Sequence, residues 1–256
     1  MNEILDGLAK AFQLIISGNP QVLEVTLRSL YVSGAAALIA TLWGLPIAML
    51  LGLRNFRGKF LVKGVFNTLL GIPTVGLGLI LFLAFSKSRP LGFLGLLYTP
   101  AGIIIGEAIL ITPIIVSLAT SAIEAVDKEI MDQARTLGAT ESQASVAVLR
   151  EAFSGVFLAG VASFNRAIAE LGVAQMVGGN IAGFTEVLTT AISTETQRGN
   201  LELSIALAIL LLTIVFGITI TISILQRKSI TLRHLAFAVS ERATLIKSYL
   251  LQRRRK

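Results

Sequence analysis

Three ionisable side chains, Glu107, Arg166 and Glu170, stand inside stretches of the sequence that are otherwise apolar. A charged group in a hydrocarbon environment is costly, so such residues face the protein interior, pair with one another or line a polar path. Arg166 and Glu170 are four residues apart, which places them on one face of a helix where each partly neutralises the other. A structural ion pair and a gate on a translocation path both fit this pair, whereas the sequence names no partner for Glu107.

The sequence offers little other chemistry. It has no cysteine, which excludes disulfides, thiolate metal sites and cysteine nucleophiles. It also lacks the Gly-x-x-x-x-Gly-Lys-Ser/Thr loop that holds nucleotide phosphates, and a solitary histidine, His234, is a poor basis for a metal site. We therefore expect that the chain is not an enzyme, and that it carries no catalytic residue, metal site or cofactor of its own.

Composition places these residues in a membrane. The mean hydropathy is +0.79, 54% of residues are hydrophobic and only 14% are charged, which lies outside the range of ordinary soluble domains. A helix needs about 20 mostly apolar residues to span a bilayer. The sequence therefore predicts an all-α integral membrane protein with about five transmembrane helices, in residues 29–53, 64–86, 90–123, 152–174 and 203–226.

The basic residues indicate the orientation of these spans. Four Lys or Arg follow the first span, three lie in residues 127–151 and nine lie in the C-terminal tail, against five on the opposite side of the predicted membrane. Because cytoplasmic loops carry the excess of Lys and Arg, the N-terminus is predicted to be outside and the C-terminus cytoplasmic. The basic residues are not interleaved with exposed aromatics, so we expect no nucleic acid partner.

Three regions follow from this topology. Residues 1–28 are predicted to form an interfacial amphipathic helix and the lead-in to the first span, because their apolar residues share one helical face in a stretch too short to cross the membrane. Residues 29–226 form the transmembrane domain, with a cytoplasmic loop at 124–151. Residues 227–256 form a basic cytoplasmic amphipathic tail, which we expect to contact anionic membrane lipid.

Helix-breaking residues interrupt the second predicted span, where Pro73 is accompanied by Gly71, Gly76 and Gly78. In lipid, the backbone groups that such residues leave unpaired must be satisfied by neighbouring helices or by water in a cavity. Close helix packing through glycine and the lining of a path both fit this pattern. The candidate pore or gate residues are therefore Arg166, Glu170, Pro73 and Glu107.

The polar loop between the third and fourth spans predicts two short helices that meet at a glycine. Asp127 is placed to cap the first helix, and Gly138 to end it as a left-handed residue. Thr140 with Gln143 three positions later has the form of a capping box that opens the second helix. The apolar residues of the first helix, Ile130, Ala134 and Leu137, are predicted to form one stripe. A compact helical knob of this kind suits docking into a groove of a soluble partner, although an ordinary solvated connection fits as well.

This loop resembles the cytoplasmic coupling loop of ATP-binding-cassette (ABC) importer permeases. The family pattern is Glu-Ala-Ala, three residues, Gly, nine residues, Ile, one residue, Leu-Pro. Here Asp132 replaces the Glu, Gln133 replaces the first Ala, and Arg150-Glu151 replaces Leu-Pro. The resemblance implies an ABC importer permease (MetI-like) fold, and it assigns docking on an ATPase subunit to Asp132, Ala134, Arg135, Leu137, Gly138 and Val148.

Three further segments narrow the resemblance to permeases that import molybdate, tungstate and sulfate. They are Pro73-Thr74-Val75-Gly76, Arg89-Pro90-Leu91-Gly92, and a segment that runs from Asn165 through Glu170-Leu171-Gly172 to Gly179-Asn180. The last segment is most similar to tungstate permeases. The resemblance therefore implies the membrane subunit of an ATP-driven importer of tungstate, with molybdate and sulfate as alternatives.

The resemblance also implies the partners. They are a second copy of this chain in a homodimer, an ABC ATP-binding subunit that uses ATP-Mg, and an extracytoplasmic oxyanion-binding protein, all at a prokaryotic inner membrane. Two other classes remain open on the residues alone. A secondary transporter or channel fits the broken spans and buried charges, although the chain shows no internal repeat. A non-transporting membrane scaffold fits the basic tail.

Overall fold

The structure, a computed structural model, describes residues 2–222 and 224. The described residues form helices joined by short turns. The helices are α1 (Asn2–Ile16), α2 (Pro20–Leu53), α3 (Lys59–Leu69), α4 (Thr74–Phe85), α5 (Pro100–Glu124), α6 (Lys128–Thr136), α7 (Glu141–Ile168), α8 (Gly172–Gly178), α9 (Leu188–Gln197) and α10 (Leu201–Ile222), with one 3-10 turn at Gly92–Leu94. The predicted tail, residues 227–256, lies outside the described residues.

The chain divides into two compact units, Met1–Thr213 and Ile214–Lys256. The first unit contains α1 to α9 and the beginning of α10. The described part of the second unit is the remainder of α10, a helix through Ile222.

Within the described residues, four helices are long and apolar enough to cross a membrane: α2, α5, α7 and α10, with 34, 25, 28 and 22 residues. The helices α3 and α4 together meet the same test but are bent by 98° at the break between them, so that the count is five if this pair is one span. The prediction of about five spans is confirmed in this sense. The break predicted within residues 64–86 is present, because the turn at Gly71-Ile72-Pro73 ends α3 and Pro73 serves as the N-terminal cap of α4.

The first long helix begins earlier than its apolar run. It starts at Pro20 rather than Ser29, because the side chain of Asn19 accepts hydrogen bonds from the backbone N–H groups of Gln21 and Val22, and proline is well suited to the first helical position. Glu24 and Arg28 therefore lie within α2, where they form an i, i+4 ion pair. The apolar stretch of residues 29–53 is therefore only part of the longer helix α2.

The helix α5 lies at the centre of the bundle. Ile103, Ile111 and Ile115 on α5 are almost completely buried, and α5 packs against α2, α7 and α8. A first apolar cluster joins α5 to α2, α4 and α8, and a second joins the predicted cytoplasmic ends of α2, α5 and α7. At this end Glu124, the last residue of α5, forms ion pairs with two lysines of α3. Its Oε1 lies 3.0 Å from Lys59 Nζ, and its Oε2 lies 2.6 Å from Lys63 Nζ.

The helices α8 and α4 contact each other at two glycines, Gly172 and Gly78. The helix α8 packs on the start of α4 so closely that a Cβ atom on Gly172 would lie 2.8 Å from Thr74 Oγ1 and 2.9 Å from the Val75 nitrogen. A Cβ atom on Gly78 would in turn lie 2.9 Å from the Gly172 carbonyl oxygen. These glycines permit backbone contact between the broken span and α8, as the sequence pattern indicated.

Gly172→Ala is therefore expected to destabilise the protein, because the added methyl group must push α4 away from α8. Overpacking of this kind costs roughly 1–3 kcal/mol, so the midpoint of thermal unfolding in detergent should fall by several degrees. Gly34→Ala, inside α2, is the matched control, since its added methyl group would meet nothing within 4 Å. An equal fall for both variants would contradict the close α4–α8 contact.

Candidate functional site

The loop that is predicted to be cytoplasmic folds as a helical knob, here defined as residues 127–148. At its start, the Asp127 side chain accepts a hydrogen bond from the Glu129 nitrogen at 3.0 Å and caps α6, as predicted. An acidic residue in the first turn, Glu129, also complements the positive end of the helix dipole. The first helix of the knob is therefore fixed by local sequence signals.

A glycine turn ends α6. Gly138 has φ +85°, in the left-handed region that favours glycine. Its N–H donates to the Arg135 carbonyl, and the Ala139 N–H donates to the Ala134 carbonyl, each at 3.0 Å. This pair of bonds is a Schellman motif, which satisfies carbonyls that a helix end otherwise leaves unpaired. The predicted stop at Gly138 is confirmed.

The second helix of the knob starts at the predicted capping box. Thr140 Oγ1 accepts from the Gln143 nitrogen at 3.3 Å, and Gln143 Oε1 accepts from the Thr140 nitrogen at 2.8 Å. The prediction of two short helices is wrong for this second one, because α7 continues from Glu141 to Ile168 without a break. No helix-breaking residue separates the polar beginning of α7 from its apolar remainder, so knob and span are one helix.

Arg135 joins the two helices of the knob. Its guanidinium binds Glu141 through two hydrogen bonds, Nε to Oε1 at 2.9 Å and Nη2 to Oε2 at 3.1 Å, and it contacts Asp132 Oδ1 at 3.2 Å. The bidentate bond with Glu141 raises the pKa of Arg135. Paired N–H···O bonds of this type fix geometry as well as charge. The turn at Gly138 is thus held by a side-chain bridge across its base.

The apolar residues of the knob divide into two groups. Ile130 and Met131 pack against the cytoplasmic cluster, in which Val148 is buried, so Val148 anchors the knob to the bundle. Leu137 does not join the predicted stripe. Its side chain is 88% exposed beside the glycine turn. An apolar side chain at the tip of a rigid turn is the kind of group that a partner protein buries.

A cavity separates the knob from neighbouring helix ends. It has a volume of about 530 Å³ and lies between α6, the end of α2, the start of α3 and the end of α5. Lys59, Glu124 and Met131 contribute to its lining. The space leaves α6 free of tight packing on this side.

Arg166 and Glu170 form the predicted ion pair, with Nη1 and Oε2 2.6 Å apart. The Glu170 side chain is only 2% exposed, whereas that of Arg166 is 38% exposed. Glu170 lies just beyond the end of α7, and its Oε1 accepts hydrogen bonds from the backbone nitrogens of Gly172 at 2.7 Å and Val173 at 3.2 Å. One carboxylate therefore neutralises an arginine on α7 and caps α8.

Glu107 on α5 is 1% exposed and contacts Ser33 of α2 by a side-chain hydrogen bond. Its Oε2 atom has no hydrogen-bond partner within the part of the chain that the structure describes. Arg166 and Glu170 are close enough to interact with it electrostatically. Three of the four predicted pore residues thus share one polar region, whereas Pro73 caps α4.

Sequence reasoning missed several contacts around these groups. Ser33 gave no signal, because a lone serine in an apolar run is common. Ser29 Oγ accepts the Leu188 nitrogen at 2.7 Å and holds the start of α9, and Thr189 Oγ1 donates to the Glu170 carbonyl at 2.7 Å. These partners are far apart in sequence, and only the fold shows that they meet.

The knob and the buried pair are two ends of one helix. The 25-residue separation between Glu141 and Arg166 on α7 corresponds to about 38 Å at 1.5 Å per residue. The fold and these sites define a class: a multi-pass membrane protein in which one continuous helix joins an exposed helical knob to a buried charged region.

The profile of one family, described as "Binding-protein-dependent transport system inner membrane component", matches residues 44–230. The match covers more than half of the chain, and the protein belongs to this family of permease subunits of ABC importers. It is therefore a multi-pass protein of the inner membrane.

Similar proteins agree with this assignment. The chain is 41% identical over 202 residues to a "Probable anion ABC transporter permease protein" of Haloferax volcanii, which covers 77% of this chain and 87% of the relative. It is 37% identical over 228 residues to the "Tungstate uptake system permease protein TupB" of Peptoclostridium acidaminophilum, covering 89% of this chain and all of that protein.

The fold also matches a solved structure, described as "Crystal structure of an amino acid ABC transporter with histidines". The TM-score is 0.62 over 85% of this chain and 98% of that chain, at 19% sequence identity. This likeness shows a shared importer-permease fold. It carries no information about the substrate of the present chain.

The buried ion pair makes a double-mutant prediction. Arg166→Met should leave Glu170 as an uncompensated buried charge and destabilise the protein by about 3 kcal/mol, the low end for a broken buried pair because Arg166 is partly exposed. Glu170→Gln in the same chain should restore most of the stability, since an amide oxygen still accepts from Gly172. Thermal unfolding of the single and double variants measures this coupling, and additive effects would contradict a direct pair.

Proposed function

We propose that the chain is the permease subunit of a tungstate importer, that it works as a homodimer, and that the knob docks on a separate ATPase subunit. The observation that carries the docking proposal is Leu137, an apolar side chain left 88% exposed at the tip of a turn that three polar side chains hold in place. Energy from ATP-Mg then enters the membrane domain through the knob. The ATPase subunit supplies the nucleotide chemistry.

The continuity of α7 supports a mechanical role for the knob. A displacement of the glycine turn moves Glu141, and the unbroken helix transmits that displacement to Arg166. Beyond Arg166 the Glu170 carboxylate ties the end of α7 to the first residues of α8. Because α8 lies against the start of α4, the bent pair α3–α4 is the next element to move.

The knob also has room for this motion. Ile130 and Met131 give α6 an apolar contact with the bundle, and the open cavity of about 530 Å³ lies beside this contact, with Met131 in its lining. The ion pairs of Glu124 with Lys59 and Lys63 connect the same region to α3. In the proposed cycle, closure of two ATPase subunits draws the knobs of the two copies together, and the spans tilt to alternate access.

A second copy of the chain is proposed as the partner of the exposed apolar surface of α3. No residue of α3 is buried within the chain, and Phe60, Leu61 and Val65 are strongly exposed. The helix also carries Lys59 and Lys63, which its own chain neutralises through Glu124. Packing against a second copy of the chain would bury these exposed apolar side chains.

Tungstate is proposed as the substrate on the strength of the similarity to the tungstate permease of Peptoclostridium acidaminophilum, which extends over 89% of this chain. Molybdate and sulfate are the alternatives. The similarity to a probable anion permease supports the same ligand class. Selection among these oxyanions falls to an extracytoplasmic binding protein, because Glu170 neutralises Arg166 and leaves no strong anion site in the buried charged region.

The coupling role is tested by two substitutions at Gly138. Gly138→Val should abolish ATP-driven tungstate uptake in proteoliposomes, because a β-branched residue at φ +85° distorts the turn although its Cβ would meet no neighbour within 4 Å. Gly138→Asn should retain much of the uptake, since asparagine tolerates the left-handed region. Both variants should insert in the membrane at wild-type levels. Full uptake by Gly138→Val would contradict the proposal.

The division of labour predicts that the purified permease alone retains no tungstate in equilibrium dialysis. The complete complex with its binding protein should transport tungstate, and excess unlabelled tungstate should compete with the label more strongly than equal molybdate or sulfate. Tight tungstate binding by the permease alone would overturn the assignment of selectivity. Uptake driven by an ion gradient without an ATPase subunit would favour a secondary transporter instead.

A further inference from the structure

A second cavity opens on the predicted extracytoplasmic side of the protein. Its volume is about 320 Å³, and it lies between α1, the start of α2, the segment before α9, α9 itself and the first turns of α10. Three carboxyl groups, on Glu186, Glu195 and Glu202, contribute to its lining, against one basic residue, Lys10. The lining is therefore acidic by two charges if all four groups are ionised.

Glu186 is the unusual member of this lining. The residue is only 8% exposed, and its carboxylate accepts no hydrogen bond from any described residue. The nearest guanidinium, that of Arg28, donates instead to the backbone carbonyl of Glu186 at 3.0 Å and to the Glu24 carboxylate. Burial raises the pKa of Glu186, and the positive charge of Arg28 offsets part of this shift.

A second acidic residue of the lining, Glu195, is fixed by hydrogen bonds to its neighbours. Glu195 accepts the Arg198 guanidinium at 2.8 Å and the Asn200 side-chain amide at 2.9 Å, so its carboxylate is oriented by α9 and the start of α10. Glu202 is exposed in the first turn of α10. The cavity thus has a fixed polar rim and an unpaired carboxylate deeper within it.

The chemistry of the cavity selects among ligands. Oxyanions are repelled by an acidic lining, so the cavity is not a substrate site. The described residues contain no group of three metal-ligating side chains placed to hold a metal ion. The lining also includes the apolar side chains Val22, Val25, Leu203 and Leu207. An apolar wall with an acidic end fits a long cationic side chain, which buries its methylene stem and presents its charge to a carboxylate.

We propose that this cavity receives a lysine or arginine side chain of the extracytoplasmic oxyanion-binding protein, with Glu186 as the acceptor of its charge. The inference rests on the proposed function, because it names the surface of the permease on which that binding protein docks. It also accounts for a buried carboxylate without a donor, since docking of the binding protein supplies one. The cavity lies beside α9, whose N-terminus is joined to α2 through Ser29. Docking therefore contacts elements that pack on the buried charged region.

The test uses the full-length complex in nanodiscs, with its ATPase subunit and the oxyanion-binding protein isolated by co-purification with it. Glu186→Gln keeps the shape of the side chain and removes its charge. The variant should weaken binding of the oxyanion-binding protein at least about tenfold, as expected when one member of a buried charge pair is lost. ATP hydrolysis without the binding protein should remain at the wild-type rate, and the unfolding midpoint should not fall below that of the wild type, which shows that the variant is folded.

Glu24→Gln is the matched control, because Glu24 lies near the same surface but its side chain is 57% exposed and does not line the cavity. Binding of the oxyanion-binding protein to Glu24→Gln should stay within about twofold of wild type, the range for a screened surface charge. Unchanged binding by Glu186→Gln would overturn the inference, as would loss of wild-type binding on addition of EDTA, which would indicate a metal bridge. If the wild-type complex recruits neither an ATPase subunit nor a binding protein, the proposed function itself fails.

Discussion

A single buried carboxylate, that of Glu170, joins the end of α7 to the start of α8. It neutralises Arg166 on α7 and accepts two backbone N–H groups at the start of α8, while its own backbone carbonyl accepts Thr189 of α9. Within an apolar bundle, each of these groups would be costly if left unpaired. Glu170 therefore connects three helices: the end of α7, the start of α8 and the start of α9.

The knob at the other end of α7 is rigid for a different reason. It lies on the predicted cytoplasmic side, where water competes for every hydrogen bond, and its shape depends on local geometry: a left-handed glycine, a capping box and an arginine bridge. Such features fix the direction in which Leu137 points without burying it. A rigid projection joined to a continuous helix transmits displacement, whereas a flexible loop at the same place would absorb it.

Local signals in the sequence predicted the knob, and long-range contacts decided the rest. The caps at Asp127 and Thr140 and the stop at Gly138 depend on neighbours within a few residues, and all three are confirmed. The break at Pro73 was visible as a helix-breaking residue, but its 98° bend depends on packing between α4 and α8. The burial of Glu186 could not be predicted, because it depends on helices separated by more than 150 residues.

The central claim is that a nucleotide-hydrolysing subunit grips the knob at Leu137, and the absence of cysteine from the chain makes this directly measurable. In native membranes Leu137→Cys can be labelled with a short maleimide photocrosslinker, whose photoreactive group needs no cysteine on the partner. Phe93→Cys, at a residue that is 81% exposed on the predicted outer side, is labelled in parallel. The account predicts a product that joins Leu137→Cys to an ATPase subunit and none for Phe93→Cys. Efficient labelling of Leu137→Cys by a soluble maleimide, with no crosslink to any nucleotide-binding protein, would contradict it.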